Sequence, residues 1–230
     1  MFKNIKCGIF AAGKGERFKK TFPNIPKPLI KVGKKTLIDY AIENLLSLNP
    51  EELAILLNLE TGEIVYNYLK NRYSINAIML DSKTSFESFY TLSNYLKEKS
   101  KTIVLSTTDT ILKKSDIQKL VLNHINSDAY LTLGITPLIN DEKPLLVDID
   151  SKIGKIKSIG INGSYATNGI YVLSYDAISD IKPIKYSKLR EFLSSIDFNS
   201  KNVSYHIVEE SFDVDDISVL KIIENSKFFL

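Results

Sequence analysis

Apolar residues follow two rhythms along this chain, and the changes of rhythm mark its elements. Residues 5–11 are a nearly unbroken apolar run, the signature of a parallel strand covered on both faces. A loop rich in glycine and basic residues follows, from Ala12 to about Lys27. Thr36 then stands as an N-cap before Leu37, Ala41, Ile42, Leu45 and Leu46, which recur at helical spacing until Pro50. Residues 53–57 predict the next buried strand, 61–72 a second helix and 75–80 a short strand. Phe86, Phe89, Tyr90 and Leu92 supply the apolar face of a helix over 85–97. Residues 102–106 predict a fourth strand, with Thr107-Thr108-Asp109 at its C-terminal end. Ser115-Asp116-Ile117-Gln118 has the form of a capping box opening another helix, and 129–135 is strand-like.

This alternation predicts an α/β protein with a Rossmann-like, doubly wound, mostly parallel sheet. The second half is different. Residues 145–149 and 155–161 predict a hairpin around Asp150-Ser151-Lys152, followed by a strand at 169–173, a helix at 186–193, an extended stretch at 203–208 and a closing helix at 216–225. No repeat, low-complexity segment or linker interrupts the chain. One domain over 1–230, with a β-rich insertion in its C-terminal half, is the expectation.

Composition narrows the chemistry. The chain has 230 residues, 44% of them hydrophobic, enough for one large core. Its formal net charge is +3 and its lysines are scattered, so no nucleic-acid partner is demanded. No run nears the roughly 18 apolar residues of a membrane span. The N-terminus enters a strand without the hydrophobic region of a signal peptide. A cytoplasmic protein without a membrane partner is expected. The single cysteine, Cys7, excludes an internal disulfide framework and reads as a core residue. His124 and His206 are the only histidines, too few for a usual zinc site or a nucleophile–base triad. Catalysis therefore falls to carboxylates, lysine, arginine and a hard metal.

Two stretches could carry it. In Ala11-Ala12-Gly13-Lys14-Gly15-Glu16-Arg17, the glycines let the backbone bend and approach a ligand. Successive amides there can form an anion nest, and Lys14 and Arg17 add charge suited to phosphate. A dinucleotide fingerprint would need glycine at position 18, where Phe18 stands, and the Walker A spacing is not met. In Pro26-Lys27-Pro28-Leu29, two prolines restrain a lysine of the kind that stabilises phosphoryl transfer.

Together, Gly13-x-Gly15-x-Arg17, Pro26-Lys27-Pro28-Leu29-Ile30-x-Val32-Gly33 and Leu37-Ile38-Asp39-Tyr40 resemble the sugar-1-phosphate nucleotidyltransferases (NDP-sugar pyrophosphorylases) and the phosphocholine cytidylyltransferases. Lys27 follows Arg17 by ten positions, the step those enzymes use. The resemblance is strongest over residues 5–45. It implies a GT-A-like nucleotidyltransferase fold, with 1–136 as nucleotide-binding core, 137–211 as acceptor-binding part and 212–230 as metal-ligand motif and closing helix. It also implies Mg²⁺ as cofactor, with a nucleoside triphosphate and a phosphorylated small molecule as partners. A homo-oligomer is left open.

The resemblance places roles on single residues. Ala11, Ala12, Gly13, Lys14 and Gly15 would wrap the triphosphate. Arg17 would hold its outer phosphates and Lys27 the reacting ones. Thr108-Asp109 matches the strand-end motif whose aspartate binds Mg²⁺. In Phe212-Asp213-Val214-Asp215 the second aspartate, Asp215, would supply the other ligand, with Asp213 as its substitute. An oxygen-rich site of this kind suits Mg²⁺. Thr84, Ser85 and Ser88 would face the base or ribose, although they could equally cap the helix they open. Lys143, within Asn140-Asp141-Glu142-Lys143-Pro144, and Asn168-Gly169 fall where the family builds its acceptor pocket. The usual Glu-Lys-Pro before that segment is missing, so the acceptor is open: a sugar 1-phosphate first, phosphocholine or another phospho-alcohol second. Two other classes share the fold: a nucleotide-sugar-dependent glycosyltransferase, which has no need of the Gly-x-Gly-x-Arg loop, and a non-catalytic nucleotide-binding module.

Overall fold

Along the first strand, Ile5, Cys7, Ile9 and Ala11 turn to one face of a sheet and pack into one apolar cluster, while Phe10 turns to the other. This two-sided burial organises the computed structural model, which describes residues 2–97, 100–139, 143–182 and 186–225. Its first half runs β1 (Ile5–Ala11), α1 (Glu16–Lys19), a 3-10 turn (Lys27–Leu29), β2 (Lys31–Val32), β3 (Lys35–Thr36), α2 (Leu37–Leu46), β4 (Glu52–Leu57), α3 (Gly62–Leu69), β5 (Asn76–Met79), α4 (Ser85–Leu96), β6 (Thr102–Thr107), β7 (Thr110–Ile111) and α5 (Lys114–Asn126). The second half runs β8 (Leu131–Thr136), β9 (Leu146–Asp150), β10 (Lys155–Gly160), β11 (Tyr165–Ser174), α6 (Tyr175–Asp180), α7 (Leu189–Ser194), β12 (Val203–Ile207), β13 (Phe212–Asp213) and α8 (Ile217–Asn225).

Nine strands from both halves form one sheet in the order β5-β4-β1-β6-β11-β8-β12-β10-β9. Helices α2, α3 and α5 cover one face, and α4, α6 and α7 the other. The sheet is mixed, a correction to the mostly parallel arrangement expected. Pairing is parallel from β5 to β6 and again at β8–β12, but β11 enters between β6 and β8 and runs against both. The β9–β10 hairpin also extends this sheet, with β9 pairing back onto β11. Among the described residues, no helix is long and apolar enough to cross a membrane.

Local chemistry explains two element starts. Thr36 and Asp39 form the capping box of α2, each side chain bonding the other's backbone N–H. The Asp39 carboxylate is buried yet also accepts from the Tyr68 and Tyr73 hydroxyls at 2.7 and 2.8 Å. Burial opposes its ionisation, but these donors outweigh burial and hold its pKa below the ordinary value. The capping box expected at Ser115 does not form. Helix α5 begins two residues earlier than that box would place it, at Lys114 behind Lys113, with no side-chain cap. Asp116 instead faces His206 at 3.5 Å, and Gln118 donates to the Ser47 carbonyl at 3.2 Å. Helix α6 had no sequence forecast, because it is short; Ser174 caps it by accepting from the Ala177 N–H.

Candidate functional site

The site lies beyond the carboxyl ends of β1 and β6, where open α/β sheets commonly bind ligands. After β1 the chain turns at Gly15, whose φ is +60°. A β-carbon there would also lie 2.8 Å from the Lys27 Cβ. Gly15 is thus required twice, for its left-handed backbone and for the close approach of Lys27. It opens α1, which carries Arg17 and buries Phe18. Lys27 starts the 3-10 turn behind Pro26, and its ammonium lies 5.5 Å from the centre of the Phe18 ring.

The acidic half of the site comes from distant sequence. Phe212 pairs with Ile111 and Asp213 with Thr110 in the short β7–β13 ladder. The Val214 N–H then donates to the Asp109 carbonyl at 3.0 Å. This pairing draws the carboxylate oxygens of Asp109, Asp213 and Asp215 within 4.8 Å of one another. A third apolar cluster, of Phe18, Ile30, Leu37, Ile111, Val214 and Ile223 among others, fastens the glycine-rich loop and α8 to the same ladder.

Opposite charges meet here. The Lys27 ammonium donates to Asp109 Oδ2 at 2.6 Å and to Asp215 Oδ1 at 3.0 Å. Arg17 Nη1 is 3.4 Å from Asp215 Oδ2. Burial alone would lower the Lys27 pKa, but the two carboxylates reverse that and raise it. Burial likewise opposes ionisation of Asp109, and Lys27 more than offsets it, lowering the Asp109 pKa. Lys27 and Asp109 are therefore both charged at neutral pH. The oxygen donors suit a hard divalent cation, and an ammonium already sits between two of them.

Two cavities open on this cluster. The smaller, of about 310 Å³, is lined by Ala11, Gly13, Gly15, Arg17, Lys27 and Thr108 among others. The larger, of about 740 Å³, is lined by Thr136, Asn168, Gly169, Tyr171, Arg190 and Asp213 among others. Both share Glu16, Arg17, Asp109 and Asp215. Asp109 and Asp215 thus stand where the two cavities meet.

The remaining residues expected at the site fall as follows. Lys14 is exposed beside the smaller cavity's glycines. The Ala12 carbonyl accepts from Asn58 Nδ2 at 3.4 Å. The Thr108 hydroxyl donates to the Phe10 carbonyl, tying β6 to β1. Thr84 caps α4, accepting from the Glu87 N–H at 3.0 Å, and the Ser88 hydroxyl pairs with that of Ser82. The Ser85 hydroxyl accepts from the Leu189 N–H at 3.1 Å and lies on the larger cavity's wall. Thr84, Ser85 and Ser88 are not on the wall of the smaller cavity. Asn140, Asp141 and Glu142 lie outside the described residues. The Lys143 carbonyl accepts from Arg190 Nη2 at 2.9 Å.

Asn168 and Gly169 occupy an irregularity of β11, where its register with β8 shifts between Thr167 and Tyr171. Gly169 has φ +81°, and a β-carbon there would lie 2.5 Å from Thr107 Oγ1. Thr110 Oγ1 donates to the Asn168 carbonyl at 2.6 Å. The Asn168 side chain is only 5% exposed, and neither of its amide atoms has a hydrogen-bond partner among the described residues. It rests over Gly134, where a β-carbon would collide with Oδ1. Arg190 had no forecast from the sequence, whereas Tyr171 closes the stretch Thr167-Asn168-Gly169-Ile170-Tyr171 that the resemblance puts near the acceptor. Tyr171 reads from sequence as one more apolar position of a strand; burial first, then Asp213 and Asp109, raise its pKa, so it stays a neutral phenol that can donate a hydrogen bond.

The geometry agrees with what the chain is similar to. The family model of the nucleotidyl transferases matches residues 6–216. The choline-phosphate cytidylyltransferase of Streptococcus pneumoniae is 26% identical over 157 residues, covering 67% of this chain and 68% of that protein. The D-glycero-alpha-D-manno-heptose 1-phosphate guanylyltransferase of Aneurinibacillus thermoaerophilus is 24% identical over 217 residues, covering 90% of each. A crystal structure from Bacillus anthracis, assigned as a glucose-1-phosphate thymidylyltransferase in complex with sucrose, superposes with a TM-score of 0.79. That match covers 96% of this chain and 94% of the other at 18% identity, a likeness of fold alone. With the family model spanning nearly the whole chain, the protein belongs to the nucleotidyl transferase family and is an enzyme of the nucleotidyltransferase type.

Proposed function

We propose that the protein transfers a nucleoside monophosphate from a nucleoside triphosphate to a sugar 1-phosphate, releasing pyrophosphate, with Mg²⁺ held by Asp109 and Asp215. The observation that carries this reading is the carboxylate cluster at the junction of the two cavities, with Lys27 and Arg17 on the smaller one's wall. A reaction joining two phosphorylated molecules needs that arrangement, because the acceptor oxygen and the leaving oxygen lie on opposite sides of the α-phosphorus.

In this reading Gly13, Lys14 and Gly15 orient the triphosphate, and Arg17 neutralises the departing pyrophosphate. Lys27 stabilises charge that grows on the α-phosphate. An oxygen of the acceptor phosphate bonds to the α-phosphorus as the bond to the bridging oxygen of pyrophosphate breaks. The acceptor is already an anion, so no general base is needed. Mg²⁺, when bound, neutralises the α-phosphate and orients it for in-line attack.

The larger cavity supports a polyol acceptor. Asn168 carries an unpaired donor and acceptor that a turn of its side chain would present to hydroxyl groups, whereas Tyr171 is the one aromatic residue among the described ones on its wall, short of the cage that holds a quaternary ammonium. A phosphocholine acceptor is the second reading, on the strength of the similarity to the choline-phosphate enzyme. Purified protein with Mg²⁺ is screened for pyrophosphate release with each common NTP against sugar 1-phosphates, phosphocholine and other phospho-alcohols. Release with a sugar 1-phosphate supports the proposal, release with phosphocholine alone replaces its acceptor, and no release with any pair refutes it.

A further inference from the structure

We propose that Lys27 is the resident cation of the metal site in the substrate-free protein, so that the divalent ion and the nucleoside triphosphate bind cooperatively, by an exchange of ion partners. The proposal rests on the reading that Asp109 and Asp215 hold the metal. Its observation is the double contact of one ammonium, at 2.6 Å to Asp109 and 3.0 Å to Asp215. These are the carboxylates that would grip a divalent ion. An ion entering between them meets a positive charge already bonded to the same two groups, so Lys27 must leave for the ion to bind.

Where Lys27 can go depends on what fills the smaller cavity. Its backbone is fixed: Pro26 precedes it, the Leu29 N–H donates to the Pro26 carbonyl at 2.8 Å and the Ile30 N–H to its own carbonyl at 3.1 Å. Only the side chain can swing. Without a nucleotide, the ammonium trades two half-buried carboxylates for water. With a triphosphate against Gly13, Gly15 and Arg17, it trades them for phosphate oxygens, an equally strong charge-assisted partner. Arg17, 3.4 Å from Asp215, faces the same choice. The nucleotide thus draws the cations away from the carboxylates and leaves room for the metal. By linkage the metal favours the nucleotide to the same degree. The metal alone binds weakly, held off by the protein's own lysine.

The test uses Mn²⁺ alone, with no nucleotide present. Free Mn²⁺ is followed by electron paramagnetic resonance during titration of wild type, Lys27→Met and Lys27→Arg. We expect Lys27→Met to bind Mn²⁺ at least about tenfold tighter than wild type, within the usual span of coupling between sites, and Lys27→Arg to stay near wild type. Thermal melting guards against a merely structural lysine. Lys27→Met should melt below wild type in EDTA, because two carboxylates lose their partner, and Mn²⁺ should restore more of its melting temperature than it adds to wild type. Equal or weaker Mn²⁺ binding by Lys27→Met than by wild type overturns the exchange and leaves the metal assignment standing. No Mn²⁺ binding by any of the three proteins overturns both.

Discussion

Gly13 and Gly15 look alike in the sequence, yet a methyl group should have opposite effects at the two positions. At Gly15, alanine must hold φ near +60°, which costs about 1–2 kcal/mol. Its β-carbon would lie 2.8 Å from that of Lys27, well inside the roughly 3.5–4.0 Å of ordinary carbon contact. Overpacking of this kind costs about 1–3 kcal/mol. If neither term relaxes, Gly15→Ala loses about 2–5 kcal/mol, and at about 2–4 °C per kcal/mol for a chain of this size its melting temperature falls by about 4–20 °C. Lys27 is also pushed off position, and a misplacement of about 1 Å costs on the order of 10²-fold in rate. At Gly13 an added β-carbon meets nothing within 4 Å and φ is not in the left-handed region. Gly13→Ala should therefore melt within about 1–2 °C of wild type, a surface-like change, and act chiefly by raising the KM for the triphosphate. Differential scanning fluorimetry and pyrophosphate release measure both variants. If Gly15→Ala keeps its melting temperature and kcat, the loop does not position Lys27 in the way described.

Other outcomes follow from the same contacts. His124 is buried and its pKa is pushed down to about 4, chiefly by desolvation. The unfolded chain, titrating near 6.5, therefore binds the proton first, and stability that is whole above pH 6.5 falls as pH drops towards 4. About 2 kcal/mol should be lost between pH 7 and 5; urea unfolding of wild type and His124→Gln checks this, with no difference in pH slope refuting it. Asp215 contacts both Lys27 and Arg17, while Asp213 is the exposed member of the carboxylate trio. Asp109→Asn and Asp215→Asn should each lower kcat more than about 100-fold and Asp213→Asn about tenfold, the scale of a group outside the metal's own ligands; steady-state kinetics showing the reverse order would exchange their roles. Asn168→Ala should raise the acceptor's KM about tenfold, the worth of one lost hydrogen bond, with the triphosphate's KM unchanged. A rise in the triphosphate's KM instead would move Asn168 out of the acceptor pocket.

The part of this site around the smaller cavity was legible in the sequence because its geometry is local. Gly15 and Arg17 share one turn and α1, and Lys27 is locked by its own prolines, so short-range spacing already describes their arrangement. The same holds for the capping box of α2, where Thr36 and Asp39 lie within one helical turn. Periodicity located most strands, since burial on two faces leaves a mark on each strand separately. It could not show which strands become neighbours. The entry of β11 between β6 and β8, the cause of the mixed sheet, is a pairing between residues such as Ile170 and Ser106, and no local pattern encodes that choice.

The part around the larger cavity depends entirely on such choices. Asn168 becomes a candidate ligand group only because β11 loses register at that point, Gly134 on the neighbouring strand leaves room for its side chain, and Thr110 holds its carbonyl. Arg190 reaches the same cavity from α7, and Tyr171 from the far side of the irregularity. Each is an ordinary residue in sequence and acquires a possible role through packing. The carboxylate cluster stands between the two cases. Phe212-Asp213-Val214-Asp215 is recognisable as an acidic motif, but two residues of β13 pairing with two of β7 select which carboxylates face Lys27. That short ladder joins the legible half of the site to the illegible one, and weakening it should loosen Asp215 from Lys27 before it disturbs the glycine-rich loop.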